Sequence, residues 1–175
     1  MKIQVNISHI YSSPEHHYFT REKFDVGLAQ TYEHKKVQLE EGKGIGGDRF
    51  EFSKYPLTFI SDEVARDVCK KLDLPYKPSL FRRNFVISGI NLNQLIGKQF
   101  VISGVGFEGL EYCAPCPWMN AVMQKGAYGL MRGRGGLRAK VIDAGTLITG
   151  TNTLITQGEF ALVNPLETTK KPRIP

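Results

Sequence analysis

Apolar and polar residues alternate at the start of the chain. Ile3, Val5 and Ile7 recur at every second position, which places them on one face of a β-strand. The step Ser12-Ser13-Pro14 then ends the strand, because serine and proline favour turns and proline offers no main-chain donor. The chain is therefore expected to open with β structure.

A different period governs residues 61 to 73. Val64, Val68 and Leu72 recur at every fourth position, the spacing of one face of an α-helix. Ser61, followed by two acidic residues, is typical of a helix N-terminus. Leu74-Pro75 marks its end, so the pattern predicts a helix over roughly residues 61–73.

After Pro78 the chain consists of short β-branched or aromatic runs separated by glycine. Strands at a spacing of roughly 8 to 12 residues are typical of an all-β barrel or sandwich. We expect a mainly β fold, a closed or partly open β-barrel with a few short helices. The predicted strands are residues 85–87, 99–102, 105–110, 139–142, 146–148, 153–155 and 160–163, and the further helical stretches are residues 91–97 and one short helix within 117–131.

Length and composition favour one compact domain. The 175 residues are 41% hydrophobic and 23% charged, enough for a single core and too apolar for intrinsic disorder. We therefore predict one domain over residues 1–175, with a polar tail from about residue 167 to 175. No apolar run approaches the roughly 20 residues of a bilayer span, and the alternating N-terminus is unlike a secretion signal. These features predict a cytoplasmic protein without membrane contact.

The charge balance favours an anionic partner. Lys and Arg number 23 against 17 Asp and Glu, a formal charge of +6. Nucleic acid, phosphate and anionic cofactors would all suit such a surface, and so would plain solvation. No helix-turn-helix or RNP pattern is present, so we predict no nucleic-acid partner.

The three cysteines lie at positions 69, 113 and 116. Cys69 falls on the apolar face of the predicted helix and is expected in the core. Cys116 stands between Pro115 and Pro117, which fix the backbone and could present its thiol to a ligand. With Cys113 it forms a Cys-x-x-Cys spacing, for which an inert buried pair, a redox dithiol and half a zinc site are the alternatives.

Arginine and glycine alternate between residues 131 and 138. Glycine lets main-chain N–H groups turn inward around an anion, and guanidinium groups add bidentate pairing to phosphate. The segment is interpreted as an anion cradle, with a solvated arginine-rich turn as the alternative. A second basic step, Arg82-Arg83-Asn84, precedes a predicted strand. The cradle residues are Arg132, Gly133, Arg134, Gly135, Gly136 and Arg138.

The four histidines, His9, His16, His17 and His34, lie in the first fifth of the chain. They could contribute to a metal site, but adjacent residues such as His16 and His17 cannot share one face of a strand. Loop histidines near the surface are the favoured interpretation.

Taken together, these pieces resemble the MOSC domain, found at the C-terminus of molybdenum cofactor sulfurases, in amidoxime-reducing enzymes and in stand-alone proteins. Their order and spacing along most of the chain make the resemblance specific. The residues that carry it are His9–Pro14 with His17–Phe19, Gly44-Ile45-Gly46-Gly47-Asp48-Arg49-Phe50, Arg82–Val86, Gly89–Leu92, Leu95–Lys98, Cys113-Ala114-Pro115-Cys116-Pro117-Trp118-Met119 and Gly133–Ala139.

The resemblance implies a MOSC β-barrel whose cysteine binds molybdenum as a thiolate or carries sulfur. By its Pro-Cys step that residue is Cys116, the implied metal ligand and catalytic residue, with Cys113 as a second catalytic candidate in the role of a resolving thiol. The basic residues are expected to bind the phosphate of the molybdenum-pterin cofactor. Asp48 is expected to orient a cation or the glycine-rich loop, residues 42–49. The implied cofactor-binding residues are Asp48, Arg82, Arg83, Asn84, Arg132, Arg134, Gly135, Gly136 and Arg138.

Three functions follow as alternatives. The first is a cofactor-binding oxidoreductase that reduces N-hydroxylated compounds with electrons from a partner reductase, or a protein that handles the cofactor itself. The second is a persulfide carrier supplied by a sulfur-donor desulfurase, since the sulfurase's own sulfur-mobilising domain is absent from this sequence. The third is a non-catalytic β-barrel module that binds phosphorylated ligands.

Overall fold

A computed structural model of the chain describes residues 1–16, 29–158 and 161–168. Ten strands and three α-helices lie within these ranges. The strands are β1 (Lys2–Ser12), β2 (Tyr32–His34), β3 (Lys36–Leu39), β4 (Leu57–Ser61), β5 (Phe85–Ser88), β6 (Gln99–Ile102), β7 (Val105–Tyr112), β8 (Leu137–Asp143), β9 (Gly145–Ile148) and β10 (Gly150–Thr156). The helices are α1 (Asp62–Lys71), α2 (Met119–Val122) and α3 (Ala127–Met131).

Seven of these strands close into a barrel. The order around it is β1, β10, β6, β7, β8, β4, β5 and back to β1. Neighbouring strands are antiparallel except β4 and β5, which run parallel. β2 extends the sheet beyond the end of β1, and β3 pairs with β9 in a separate two-stranded ribbon. The predicted mainly β barrel is thus confirmed, and its closure removes free sheet edges.

The barrel interior is filled by side chains, with aromatic rings at its centre. Phe59 stacks on Phe85 at 4.8 Å between ring centroids, and Phe100 stacks on Phe107 at 5.4 Å. The edge of Phe107 meets Phe59 at 5.7 Å, which joins the two pairs. Burying each such side chain contributes about 1.5–3 kcal/mol to stability, so this cluster holds β4, β5, β6 and β7 together.

A second apolar layer covers the outside of β4 and β5. Helix α1 begins where β4 ends, because the Ser61 hydroxyl accepts a hydrogen bond from the main-chain N–H of Val64 at 3.2 Å. Val64 and Val68 then pack in this outer layer with Trp118 and Met131. The predicted helix is confirmed, and Cys69 lies buried in this layer, as expected.

The structure also departs from the sequence expectations. β4 was missed because all of its residues are buried, so no alternation marks it. Residues 161–163 form no strand, and the stretch 91–97 holds a single 3-10 turn over Leu92–Leu95. The stretch 117–131 holds two short helices instead of one.

Some expectations concern positions outside the described residues. They include His17 and its two successors, Phe160, and the tail beyond residue 168. Among the described residues, no helix has the length and apolar character needed to cross a bilayer.

Candidate functional site

The glycines of the Arg-Gly turn, residues 132–138, direct their main-chain N–H groups at a side chain of the protein itself. The Tyr112 hydroxyl accepts hydrogen bonds from the N–H of Gly133 at 2.8 Å and of Gly135 at 3.3 Å. A phenol oxygen at the end of β7 therefore occupies the position that the cradle interpretation reserved for an external anion.

Gly135 and Gly136 allow other parts of the main chain to approach the turn closely. A Cβ on Gly135 would overlap the carbonyl oxygen of Cys113 and the ring of Pro115. Gly136 has φ +117°, and a Cβ there would overlap the carbonyl oxygen of Phe59. Glycine is therefore required at both positions, because the turn packs closely against β4 and against the cysteine loop, residues 113–117.

The three arginines of this turn have separate environments. Arg134 pairs with Asp67 on α1 at 2.7 Å and donates to the carbonyl of Leu130 at 2.7 Å. Arg138 lies 3.5 Å from Glu111, with its guanidinium 4.9 Å from the Tyr55 ring centroid. Arg132 is exposed. In the structure two of these arginines are thus paired with acidic side chains and the third faces solvent. Their role in binding the cofactor stays a prediction.

A different set of arginines converges where β1, β5 and the glycine-rich loop meet. Arg49 donates from Nη2 to the carbonyl of Arg82 at 3.0 Å. The Arg83 guanidinium donates to the carbonyls of Gly135 at 3.1 Å and Cys113 at 3.4 Å. The charge of Arg83 lowers the pKa of Arg49, and the charge of Arg49 lowers the pKa of Arg82, which indicates that the three guanidinium groups lie close together.

Asp48 provides the one carboxylate that pairs with this group among the described residues. Its side chain is fully buried and lies 3.3 Å from Nη1 of Arg49. It also accepts from the main-chain N–H of Ser13 at 2.9 Å and of Phe50 at 3.0 Å. Asp48 thereby ties the glycine-rich loop to the end of β1, and one negative charge faces three positive ones.

Charge crowding shows in the pKa values of the arginines. Burial is the largest cause that lowers the pKa of Arg49; Arg83 lowers it further, whereas Asp48 and the Cys113 thiol oppose the shift. Burial and the charge of Arg49 lower the pKa of Arg82 to about 10, so Arg82 still carries its charge at neutral pH. Such repulsion is relieved when an anion binds.

These arginines line a cleft of about 170 Å³, which we call the arginine cleft. Hydroxyl groups and one amide complete its wall. Its lining residues are Tyr11, Ser12, Ser13, Thr31, Arg49, Arg82, Arg83 and Asn84.

The cleft fits an anionic group such as the cofactor phosphate. The side chain of Arg49 is 9% exposed, and its Nε is buried without a hydrogen-bond partner among the described residues. A buried donor without a partner costs about 1–3 kcal/mol, which a phosphate oxygen would recover. Arg82, by contrast, already donates to the Thr31 hydroxyl at 2.9 Å and the Glu15 carbonyl at 2.8 Å.

Asn84 lines the cleft, but its amide oxygen and its amide nitrogen both have partners within the protein. Its Oδ1 accepts from the main-chain N–H of Thr58 at 3.0 Å and from the Thr58 hydroxyl at 2.9 Å. Its Nδ2 donates to the carbonyl of Tyr11 at 3.1 Å. Asn84 therefore joins β1 to β4 and holds the neighbouring arginines in place.

The two candidate cysteines have unlike surroundings. Cys113 is 3% exposed; its N–H donates to the Gly136 carbonyl at 2.8 Å, and its thiol interacts electrostatically with Arg49. Cys116 is half-buried against the outer apolar layer, and its carbonyl accepts from the N–H of Met119 at 3.0 Å. Both thiols are free. The structure thus associates Cys113 with the arginine cleft, whereas Cys116 is the more accessible sulfur.

Sequence reasoning missed Arg49, Ser12, Ser13 and Thr31 in this cleft. Arg49 could have been found, because it directly follows Asp48 in the glycine-rich motif. The hydroxyl residues give no such signal, since they belong to a strand end and a loop with no local pattern.

The described histidines form no metal site. His9 and His34 lie on β1 and β2 instead of on loops, paired with Glu33 and Ser12. His16 meets the ring of Phe50 edge-on. Among residues 1–16, 29–158 and 161–168, no three His, Cys, Asp or Glu side chains are grouped as metal ligands would be.

Comparison with known proteins agrees with this architecture. The family model of the MOSC domain matches residues 35–159. No curated protein matches the chain. The YuaD protein from Bacillus subtilis has a similar structure, with a TM-score of 0.71 at 17% identity, over 91% of this chain and 99% of that one.

Two YiiM structures are also similar. YiiM from Geobacillus stearothermophilus has a TM-score of 0.63 at 14% identity, over 90% of this chain and 78% of its own. YiiM from Escherichia coli has a TM-score of 0.57 at 16% identity, over 96% and 75%. At such identities these likenesses establish the fold alone.

Proposed function

The chain belongs to the MOSC domain family, and from this premise we propose that it binds the molybdenum-pterin cofactor, with the arginine cleft holding the phosphate. The observation that carries the proposal is the unbalanced charge of the cleft. Three guanidinium groups face one carboxylate, and Arg49 keeps a buried Nε without a partner among the described residues. An anion with several acceptor oxygens would balance the positive charge and accept a hydrogen bond from Arg49.

In this proposal different residues bind the phosphate, position the arginines and ligate the metal. Arg49 and Arg82 bind the phosphate, while Asp48 fixes Arg49 through their ion pair. Arg83 links the cleft to the cysteine loop, because it donates to the carbonyl of Cys113. Cys116 provides the thiolate for the metal, since thiolate is a soft ligand suited to a transition metal and this sulfur is the more accessible one.

When bound, the cofactor would supply the redox chemistry for reducing an N-hydroxylated compound. In that reaction the N–O bond would break, two electrons would come from a partner reductase, and two protons would be taken up, one by the departing hydroxyl to give water and one by the nitrogen. The protein's part is to hold the cofactor by its phosphate and to keep a thiol in a fixed position, as the prolines beside Cys116 do.

The first test compares arginine variants of equal charge change. Protein from a host with an intact molybdenum-cofactor pathway is analysed for bound metal and pterin. Arg49→Gln should retain at most about a tenth of the wild-type cofactor, because a hydrogen bond to a charged group is worth about 1.5–3 kcal/mol. Arg138→Gln, outside the cleft, should retain nearly all. Equal retention by both variants would remove the arginine cleft from the proposal.

The second test separates the two cysteines. Cys116→Ser should lose molybdenum while keeping the pterin phosphate contact, and Cys113→Ser should keep the metal. The measurement is the ratio of molybdenum to pterin in each purified variant. Metal loss in Cys113→Ser alone would transfer the ligand role to the buried cysteine beside Arg49.

A persulfide carrier is the second candidate, favoured by the free and partly accessible thiol of Cys116. Such a protein needs a donor desulfurase and no stable cofactor. Mass spectrometry after incubation with a desulfurase and cysteine would then show about 32 Da, one sulfur atom, added at Cys116. That adduct, in protein that never binds molybdenum, would favour the carrier over the reductase.

A further inference from the structure

A serine of the arginine cleft is hydrogen-bonded to a histidine outside it. The Ser12 Oγ lies 2.7 Å from Nε2 of His34. Ser12 is buried and lines the cleft, whereas His34 does not line it and is partly accessible to solvent. The pair therefore connects a titratable ring to the cleft wall.

The pairing of β1 with β2 explains why this contact forms. Ser12 is opposite Tyr32 and Ile10 is opposite His34 in the antiparallel register, so these four side chains share one face. Ser12 and His34 are diagonal neighbours on that face.

The charged groups around His34 are distributed as follows. The opposite face of the β1–β2 ribbon carries His9, Tyr11 and Glu33, where His9 and Glu33 pair at 2.7 Å. Burial, and next the charge of Glu33, raises the pKa of Tyr11 to about 12, so that phenol stays neutral. Lys35, the next residue in the chain, is exposed. On the cleft side the charges are Asp48, Arg49, Arg82 and Arg83.

We propose that protonation of His34 turns the Ser12 hydroxyl into a hydrogen-bond donor to an oxyanion in the arginine cleft. A neutral imidazole can accept a hydrogen bond at Nε2, and the Ser12 hydroxyl then donates to the ring. In the imidazolium both nitrogens are donors, so Nε2 must donate to Ser12 Oγ. The serine proton is then released toward the cleft, where an anion accepts it. His34 acts here as a positioning residue.

This inference rests on the proposed function of the cleft as an oxyanion site, and it adds proton dependence to it. A bound anion favours the state in which Ser12 donates to it, and protonation of His34 enforces that state because both ring nitrogens are then donors. By linkage, anion binding takes up a proton and the affinity rises as the pH falls. A charge effect of His34 alone would not require Ser12, which makes the two mechanisms separable.

Calorimetry with sulfate tests the inference. Sulfate serves as the probe because it remains a dianion over the pH range used. The wild-type protein should bind it at least about tenfold more tightly at about pH 6 than at about pH 8, the effect of one hydrogen bond to a charged group. Titrations in buffers of different ionisation enthalpy should show net proton uptake on binding.

Three variants decide between the mechanisms. Both Ser12→Ala and His34→Gln should lower the ratio of affinities to about two or less and reduce the proton uptake, whereas His9→Gln should keep the wild-type behaviour. If Ser12→Ala retained the full ratio, the effect would be electrostatic and the hydroxyl switch would be refuted. Thermal unfolding of each variant checks that it is folded.

The same titrations distinguish this inference from the function beneath it. Sulfate binding with no pH dependence in the wild type would overturn the role of His34 and leave the anion site intact. If sulfate bound at neither pH and no arginine variant lost cofactor, both the proposed role of the arginine cleft and this inference would be wrong.

Discussion

The Arg-Gly turn and the arginine cleft each collect three arginines on the outside of one barrel, but two of the three arginines in the turn are paired with separate carboxylates. Arg134 is paired with Asp67 and Arg138 with Glu111. In the cleft, Asp48 pairs with Arg49 alone of the three arginines, and burial and repulsion between guanidinium groups lower the pKa values of Arg49 and Arg82. Arginine density in a sequence therefore does not by itself predict whether the guanidinium groups are paired with carboxylates.

The same contrast applies to main-chain donors. In the turn, the Tyr112 hydroxyl accepts from two glycine N–H groups, so the concavity is already filled. The cleft has no such filled concavity, although a buried side-chain nitrogen without a partner among the described residues occurs in both regions, Nε of Arg49 in the cleft and Nε of Arg138 in the turn. Stability is thus expected to depend on the turn, and anion affinity on the cleft.

The largest expected effect is that of Gly136→Ala in the turn. The residue has φ +117°, and its new Cβ would overlap the carbonyl oxygen of Phe59 on β4. Positive φ costs a non-glycine residue about 1–3 kcal/mol, and the overlap adds about as much again. We expect a loss of about 3–5 kcal/mol in the free energy of unfolding, measured by urea denaturation.

The matched control lies in the glycine-rich loop beside the cleft. A Cβ on Gly46 would meet no atom within 4 Å, and its φ is not positive. Gly46→Ala should therefore change the free energy of unfolding by no more than about 0.5 kcal/mol. Similar unfolding midpoints for Gly136→Ala and Gly46→Ala would show that the turn does not depend on close approach.

The parts of the fold that sequence reasoning identified are those with one buried face. Ile3, Val5 and Ile7 alternate on β1, and Val64 and Val68 keep helical spacing on α1, because each element faces a core on one side only. β4 gives no such signal, since its inner face fills the barrel and its outer face lies under α1. Burial on both faces erases the pattern.

The site was predictable only where its residues are neighbours in sequence. Arg82 and Arg83 were recognised as a basic step, but Arg49 binds the Arg82 carbonyl across 33 positions of chain. Likewise, no local pattern indicates that the Tyr112 hydroxyl fills the turn, because that contact joins the end of β7 to a loop some twenty residues later. Such contacts follow from strand pairing, which a single sequence does not specify.

Arg134→Gln should have the next largest effect, a loss of about 2 kcal/mol from breaking a largely buried ion pair with Asp67. Burial raises the pKa of Asp67, but hydrogen bonds from Lys71 and Arg134 outweigh it and lower the pKa overall. The stability from this carboxylate is present above its unfolded pKa and is lost as the pH falls through the folded value. The difference between variant and wild type in urea denaturation should thus shrink in acid, below about pH 4.

Sulfate affinity provides the control for this variant. Because Arg134 is engaged with Asp67 and Leu130, Arg134→Gln should bind sulfate as the wild type does at neutral pH. A marked loss of sulfate binding would place Arg134 in the anion site after all and would weaken the contrast between the turn and the cleft.

Tyr112→Phe should cost about 1–2 kcal/mol, because it leaves the N–H groups of Gly133 and Gly135 without their acceptor. Water can reach part of this turn, which limits the loss. Urea denaturation measures the cost, and amide hydrogen exchange at these two glycines should quicken in the variant. Unchanged exchange at both glycines would show that the hydroxyl does not hold the turn.

Arg82→Gln should have the smallest effect on stability, within about 0.5 kcal/mol in buffer without oxyanions. Two terms oppose each other. The variant loses hydrogen bonds to Thr31 and Glu15, but it also removes a charge whose burial and repulsion by Arg49 lower its pKa to about 10. With sulfate present the balance changes, because a ligand that binds only the folded state stabilises it by mass action. Sulfate should raise the unfolding midpoint of the wild type more than that of Arg82→Gln. If Arg82→Gln instead lowered the free energy of unfolding as much as Arg134→Gln does in buffer without oxyanions, the arginines of the cleft would stabilise the fold as those of the turn do, and the contrast would fail.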